Sequence, residues 1–129
     1  MAAPYFGDFV EDATFHFLWN TNDVGGGSVT RATNGKISVY KDNGIAQSTF
    51  GITDTEDFDG LTGVHACTID LSADAFYVTA ANYAVVLSAA TLDGQTVNAT
   101  IARFSIANRV VAVVTTAVDW YPRIRRRRR

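Results

Sequence analysis

The sequence has few of the residues that cross-link a chain or favour helices. Cys67 is its single cysteine, so no disulfide can form within the chain, and extra stability must come from the core or from neighbouring subunits. Lys and Glu, two good helix formers, occur only twice each. The chain contains no run of about 18 apolar residues, and its N-terminus lacks the charged start and apolar stretch of a signal peptide. We therefore expect neither a membrane span nor export, and synthesis in a reducing cytoplasm.

The residues that are abundant favour β-structure. Eight Phe, five Tyr and two Trp occur among many Val, Ile and Thr, the types that fit a half-buried pleated surface. The length of 129 residues falls within the usual range for one domain with one core. These features predict an all-β domain in which most strands are antiparallel.

Alternating apolar residues mark the first strands. Residues 14–19 place Phe15, Phe17 and Trp19 on one face, as a half-buried strand requires. A glycine-rich loop is expected over residues 20–27. A strand over residues 36–41 is then followed by Asp42-Asn43-Gly44, which predicts a tight hairpin turn before residues 45–50.

The second half of the chain repeats this pattern. Residues 53–63 carry four carboxylates and two glycines, and we expect an exposed acidic loop there rather than a strand. Residues 64–71 alternate again, and residues 72–75 are compatible with one helical turn. Asp93-Gly94 lies between two apolar segments, residues 83–87 and 97–104, and predicts a second hairpin. Six to eight strands are expected in total.

The spacing of strands and turns indicates an antiparallel β-sandwich, immunoglobulin-like or jelly-roll-like. Asp74, Tyr83 and Val85 lie as in many immunoglobulin-like domains, where an aromatic hydroxyl fixes the loop before a late strand. Residues 110–114, by contrast, are apolar on both faces, which is typical of a segment buried at a subunit interface. We therefore divide the chain into a sandwich domain over residues 1–109 and, over residues 110–129, an apolar oligomerisation strand with a basic tail.

Candidate catalytic and metal-binding residues are few. His65 and Cys67 face the same side of one strand, but no orienting residue or oxyanion donor can be named, so a buried structural cysteine is the preferred interpretation. His16 has no second metal ligand nearby. The acidic loop is the best calcium candidate, yet its spacing does not match an EF-hand, and solvated carboxylates are the preferred interpretation. We expect no enzyme activity, no cofactor and no metal.

The charge distribution is uneven. Residues 1–122 carry five Lys or Arg against 13 Asp or Glu, a formal charge of −8, whereas Arg123 and the run from Arg125 to Arg129 are basic. Such a tail is suited to an acidic neighbour in an assembly, including another copy of the chain. Nucleic-acid binding is the second interpretation, because the acidic body would repel a phosphate backbone.

Three motifs carry a resemblance to a known family: Val-Tyr-Lys-Asp-Asn-Gly at 39–44, Asp-Phe-Asp-Gly-Leu-Thr-Gly at 57–63 and Phe-Ser-Ile-Ala-Asn-Arg at 104–109. Together they make residues 35–109 resemble β domains of tailed-bacteriophage virion proteins. In those proteins a similar module begins head-fibre, decoration or baseplate-adaptor chains. The resemblance implies a virion structural protein that binds other virion proteins and has no catalytic residues.

We accordingly expect a homo-oligomer, possibly a trimer, that decorates the outside of a capsid, assembled in the host cytoplasm and located in the virion. A tail, baseplate or fibre adaptor is the alternative within this class, and the short chain favours decoration. From another class, a carbohydrate-binding module would use Tyr5, Trp120 and Tyr121 to stack on sugars. The expected interface residues are Val110, Val111, Val113, Val114, Trp120, Tyr121, Arg125 and Arg127.

Overall fold

Eight β-strands and one short 3-10 turn form the regular structure of residues 3–108, which are the residues that the computed structural model describes. The 3-10 turn is Phe58–Gly60. The strands are β1 (Tyr5–Phe9), β2 (Thr14–Asn20), β3 (Lys36–Lys41), β4 (Gln47–Ser48), β5 (Ile52–Thr55), β6 (Val64–Asp70), β7 (Ala81–Leu92) and β8 (Gln95–Ile106).

The strands form two sheets. The larger has the order β1-β8-β7-β3-β4, and the smaller has the order β2-β6-β5. Every neighbouring pair is antiparallel except β1 and β8, which run parallel. The predicted all-β fold is therefore confirmed, and the number of strands lies within the expected six to eight.

Side chains from both sheets share one core. Phe15 of β2 packs against Phe104 of β8, with ring centroids 4.8 Å apart, and Phe9 of β1 stacks on Phe15 at 4.3 Å. The predicted inward face of β2 is confirmed, because Phe15, Phe17 and Trp19 are buried while the residues between them are exposed. Burying these large rings contributes roughly 1.5–3 kcal/mol per side chain to the free energy of folding.

Both predicted hairpins are present. Asp42 and Asn43 have φ of 53° and 59°, and Asp93 and Gly94 have φ of 48° and 75°. Two successive positive-φ residues give the turn a twist that matches the flanking antiparallel strands. The first turn joins β3 to β4 and the second joins β7 to β8.

Tyr83 fixes the loop that leads into β7. Its hydroxyl accepts a hydrogen bond from the Val78 backbone N–H at 2.7 Å and lies 3.2 Å from the carbonyl oxygens of Phe76 and Val78. Val85, two residues further along the strand, is fully buried. The predicted roles of Tyr83 and Val85 are confirmed, whereas the Asp74 carboxylate binds Ser48 and the Phe76 backbone N–H.

Three local predictions were wrong or incomplete. Residues 53–55, expected within an exposed loop, belong to β5, because pairing with β6 overrides the low strand propensity of Asp54. Residues 72–75 form turns rather than a helical turn. Strand β1 was not predicted, since its partner β8 lies about 100 residues away in the sequence.

Two further observations bear on the predicted organisation. No helix within residues 3–108 has the length and apolar character needed to cross a bilayer. The predicted division at residue 109 and the C-terminal unit, residues 110–129, lie outside the described residues.

Candidate functional site

A buried polar cluster surrounds Arg31, whose side chain is only 1% exposed. Its Nη2 donates to Asp54 Oδ2 at 2.6 Å, and its Nη1 donates to the Asn34 carbonyl oxygen at 3.0 Å. Its Nε lies 3.4 Å from Glu56 Oε2, a distance and angle that give an ion pair without a directional hydrogen bond. We define the Arg31 cluster as Arg31, Trp19, Asp54 and Glu56.

Trp19 completes this cluster from β2. The Arg31 guanidinium carbon lies 4.7 Å from the centre of the Trp19 ring, a cation–π distance. The indole Nε1 donates to Asp54 Oδ1 at 2.9 Å, so one carboxylate binds both the cation and the ring beneath it. The cluster therefore joins the loop before β3 to strands β2 and β5.

His65 lies beside the Arg31 cluster, with its ring centroid 4.6 Å from that of Trp19. Its Nδ1 accepts a hydrogen bond from the Asp57 backbone N–H at 3.2 Å, and its Nε2 lies 2.9 Å from the Thr21 hydroxyl, which in turn donates to the Val29 carbonyl oxygen. These bonds assign a neutral ring protonated at Nε2. Burial, followed by the positive charge of Arg31, lowers the pKa of His65.

Asp57 holds the loop on the other side of His65. Thr30 Oγ1 donates to Asp57 Oδ2 at 2.6 Å and the Gly63 backbone N–H donates to Asp57 Oδ1 at 2.9 Å. The bond from Thr30 and then that from Gly63 lower the pKa of Asp57, because both stabilise the carboxylate. Asp54, Glu56 and Asp57 thus bind protein groups, and the expected solvated acidic loop is corrected on this point.

These contacts attach the segment between β2 and β3 to the smaller sheet. Among residues 3–108, no group of three or more His, Cys, Asp or Glu side chains is arranged to hold a metal ion. The Asn34 side-chain amide, with its nitrogen toward Glu56, donates to that carboxylate at 2.9 and 3.2 Å. Each carboxylate of the cluster is therefore occupied by a donor from the chain itself.

The predicted core position of Cys67 is confirmed, since its side chain is fully buried on β6. Burial raises the pKa of Cys67 to about 12, so the thiolate that a nucleophile requires does not form near neutral pH. His65 uses both ring nitrogens elsewhere, as described above. His16 lies on the exposed face of β2, where its Nδ1 is 2.8 Å from the Thr68 hydroxyl.

The predicted interface residues, Val110, Val111, Val113, Val114, Trp120, Tyr121, Arg125 and Arg127, all lie outside the described residues. Tyr5, the remaining aromatic of the carbohydrate hypothesis, lies on β1 with 59% of its surface exposed. Its hydroxyl is 2.6 Å from Ser105 Oγ, so its polar end is engaged with β8.

An open cleft lies between the two sheets, next to the start of β1. Its volume is about 570 Å³. Leu18 and Trp19 of β2 form one wall, the edge of β8 forms the other, and Pro4 lies at one end. We call this space the β2/β8 cleft; its β8 wall consists of Asn98, Ala99, Thr100 and Ile101.

The cleft exists because β1 covers only part of β8. The β1 register runs from Tyr5 opposite Arg103 to Phe9 opposite Ile106, and the Arg103 backbone N–H donates to the Pro4 carbonyl oxygen. Within residues 3–108, no strand pairs with the first eight residues of β8, 95–102, on the side away from β7. This segment is an open strand edge.

Sequence reasoning did not single out Arg31 or the β2/β8 cleft. The available signal for the cluster was Arg31 itself, an isolated cation in the Gly- and Thr-rich loop of an acidic body. Comparisons with protein-family models, with curated proteins and with solved structures found no match to this chain.

Proposed function

We propose that this chain is a structural protein of a tailed-bacteriophage virion that works by binding copies of itself and other virion proteins. The observation that carries the proposal is the separation of charge between body and tail. Residues 3–108 contain 12 Asp or Glu and four Lys or Arg, and one of those four, Arg31, is buried in the cluster described above. Residues 110–129, in contrast, contain six arginines, at 123 and 125–129, and one carboxylate, Asp119.

The place where the chain leaves the body supports this proposal. The Ala107 backbone N–H donates to the Phe9 carbonyl oxygen, so the C-terminal segment starts beside the end of β1. Glu11 and Asp12, both exposed, follow in the turn after β1. An acidic surface at this point favours contact with a basic segment of a neighbouring copy and disfavours nucleic acid.

The Arg31 cluster supports a binding role over a catalytic one. A general acid, base or nucleophile needs a side chain that can reach a substrate. Asp54, Glu56 and His65 instead direct their polar atoms at Arg31, Trp19, Thr21 and Asn34. We therefore propose that the protein is not an enzyme and acts through its surface.

For the finer architecture we propose an antiparallel β-sandwich of immunoglobulin-like type. Two features support it: the core is shared by both sheets, and Tyr83 bonds the backbone five to seven residues upstream as an aromatic corner does. Such sandwiches present loops and strand edges for contact, which suits an assembly protein.

Within the virion we propose capsid decoration, with the body on the outside of the shell bound to the major capsid protein. Residue-resolution imaging of the assembled particle tests this directly. Copies on the outer shell support decoration, and copies at the tail or baseplate would replace it with an adaptor role. Purified particles that lack the protein altogether would overturn the virion proposal, and a glycan-array screen would then examine the carbohydrate-binding alternative.

A further inference from the structure

The β2/β8 cleft is shaped to receive an additional strand. Next to the cleft, β1 forms the edge of the larger sheet, and its Phe6 and Phe9 pack on Phe17 and Phe15 of β2 at 5.1 and 4.3 Å. Strand β1 pairs with β8 only from Tyr5, opposite Arg103, onward. The eight residues of β8 that precede Arg103, 95–102, extend for roughly 26 Å at 3.3 Å per residue. A strand in this space would pair with residues 95–102 of β8, in line with β1 on the same edge of the larger sheet.

The lining of the cleft combines the polar side chains of Asn20, Asn22, Asn98 and Thr100 with apolar ones, and the apolar part can receive the apolar side chains of a strand. Leu18 is 55% exposed, Ala99 and Ile101 are half-buried, and Trp19 forms part of the same wall. The backbone of an open strand edge also carries N–H and C=O groups without strand partners, which a second strand can bind. An occupant should therefore be β-prone, apolar and free of proline.

Residues 110–114 have these properties. The segment consists of four valines and Ala112, with no charge and no proline. Val has a high strand propensity because its branched side chain packs well on a pleated surface. Five residues extend over roughly 17 Å, which is shorter than the open edge of β8.

The length of chain available does not allow the whole segment to pair with the open edge of its own chain. Ala107 lies at the far end of β8, and the near end of the open edge, at Ala102, is five residues back, or roughly 17 Å. Val110 is three residues beyond Ala107 and reaches at most about 11 Å from it. An intramolecular strand would also have to cross over β1, which lies between Ala107 and the open edge.

We infer that residues 110–114 of one copy add as a strand to the open edge of β8 in a second copy and fill its β2/β8 cleft. This inference rests on the proposed self-association and specifies its contact. Because each copy supplies one segment and one cleft, the contact joins unlike surfaces and can link successive copies into a ring such as the expected trimer.

Disulfide trapping between two differently tagged full-length variants tests the contact. One chain carries Cys at 97, 99 or 101 in turn (Val97→Cys, Ala99→Cys or Ile101→Cys), and the other carries Ala112→Cys. Native Cys67 stays in place, because its buried thiol does not react. After subunit exchange and mild oxidation, we expect a cross-linked product containing both tags. Thr53→Cys, exposed on β5 of the other sheet, is the matched control and should give no more than background.

Two results would overturn the inference. One is mixed-tag cross-linking no stronger than that of the Thr53→Cys control at all three positions. The other is an intramolecular disulfide in the Ala99→Cys/Ala112→Cys double variant at high dilution, because it would place the segment in its own cleft.

Sedimentation of the wild type and of Ala112→Pro distinguishes strand addition by residues 110–114 from self-association through another surface. Proline removes a strand N–H, so we expect the variant to be monomeric with an unchanged melting temperature. A wild type that is monomeric at 100 μM would overturn strand addition. If the wild type and Ala112→Pro are equally oligomeric and no cross-link forms, strand addition is wrong while self-association stands. Location in the virion is decided independently by imaging.

Discussion

The guanidinium carbon of Arg31 lies over the indole ring of Trp19, 4.7 Å from its centre, and Asp54 binds both side chains. The two residues belong to a loop and to a strand that share no ladder of backbone hydrogen bonds. This contact is therefore a main attachment of the segment between β2 and β3 to the smaller sheet.

Replacing Arg31 should destabilise the protein strongly. Arg31→Met leaves Asp54 and Glu56 partly buried without a cation, and breaking such a pair costs about 3 kcal/mol or more. Urea unfolding of this variant should show a lower midpoint than that of Lys36→Met, the control at an exposed position. Adding Asp54→Asn to Arg31→Met should recover part of the loss, because it removes one unpaired charge. An Arg31→Met variant as stable as the control would contradict this role.

Stability should fall as the pH drops below about 6.5, the ordinary pKa of a histidine, because of His65. The folded state lowers the pKa of His65, so the unfolded chain binds a proton first as the pH drops. Stability is thus retained above the unfolded pKa and lost toward lower pH, with a maximum slope of about 1.4 kcal/mol per pH unit. Denaturant titrations at several pH values measure the slope. The slope should disappear in His65→Gln and persist in His16→Gln, and a slope that persists in His65→Gln would contradict the role of His65.

Removing the Tyr83 hydroxyl should weaken the loop before β7. In Tyr83→Phe the Val78 backbone N–H loses its acceptor, which costs about 1 kcal/mol, the usual net contribution of one hydrogen bond, because Val78 itself is exposed. Hydrogen exchange should then accelerate at Val78 more than in β3. Tyr40→Phe removes a hydroxyl from β3 of the same sheet and serves as the control. If both substitutions lower the free energy of unfolding equally, the hydrogen bonds of the Tyr83 hydroxyl do not stabilise this loop as proposed.

Deleting residues 123–129 should weaken assembly without unfolding the body. Exposed ion pairs contribute about 0–1 kcal/mol each, so the effect of six arginines is collective and is screened by salt. Binding to particles, or self-association by sedimentation, is measured at low and high salt for the truncated and full chains. We expect a difference at low salt that shrinks at high salt. Equal binding at both salt concentrations would exclude docking of the tail, and a loss of DNA retention alone would favour the nucleic-acid interpretation.

Local patterns predicted much of the fold because the responsible interactions are local. The alternation of Phe15, Phe17 and Trp19 determines which face of β2 is buried, and the two turns carry positive-φ residues at adjacent positions. Strand β1 has no such signal. Gly7 interrupts its pattern with a φ of 125°, and its partner lies at the other end of the chain.

The Arg31 cluster could not be derived from the sequence for a related reason. Carboxylates in a turn-rich segment are normally solvated, and only the tertiary fold brings Asp54 to a cation 23 residues away. Trp19 gave a partial indication, because a buried indole N–H usually requires an acceptor. Which acceptor it would find depends on how β5 pairs with β6.

The parallel pairing of β1 with β8 has a consequence for the order of folding. Tyr5 and Ser105, joined through their hydroxyl groups, are 100 residues apart, so the first strand must wait until nearly the last strand has been synthesised. Closing so long a loop is entropically unfavourable until the β7/β8 hairpin presents a finished edge. Phe6 and Phe9 therefore remain exposed during most of translation. In a crowded polysome, the same strand of a neighbouring nascent chain competes for that edge, so refolding yield should decline as chain concentration rises.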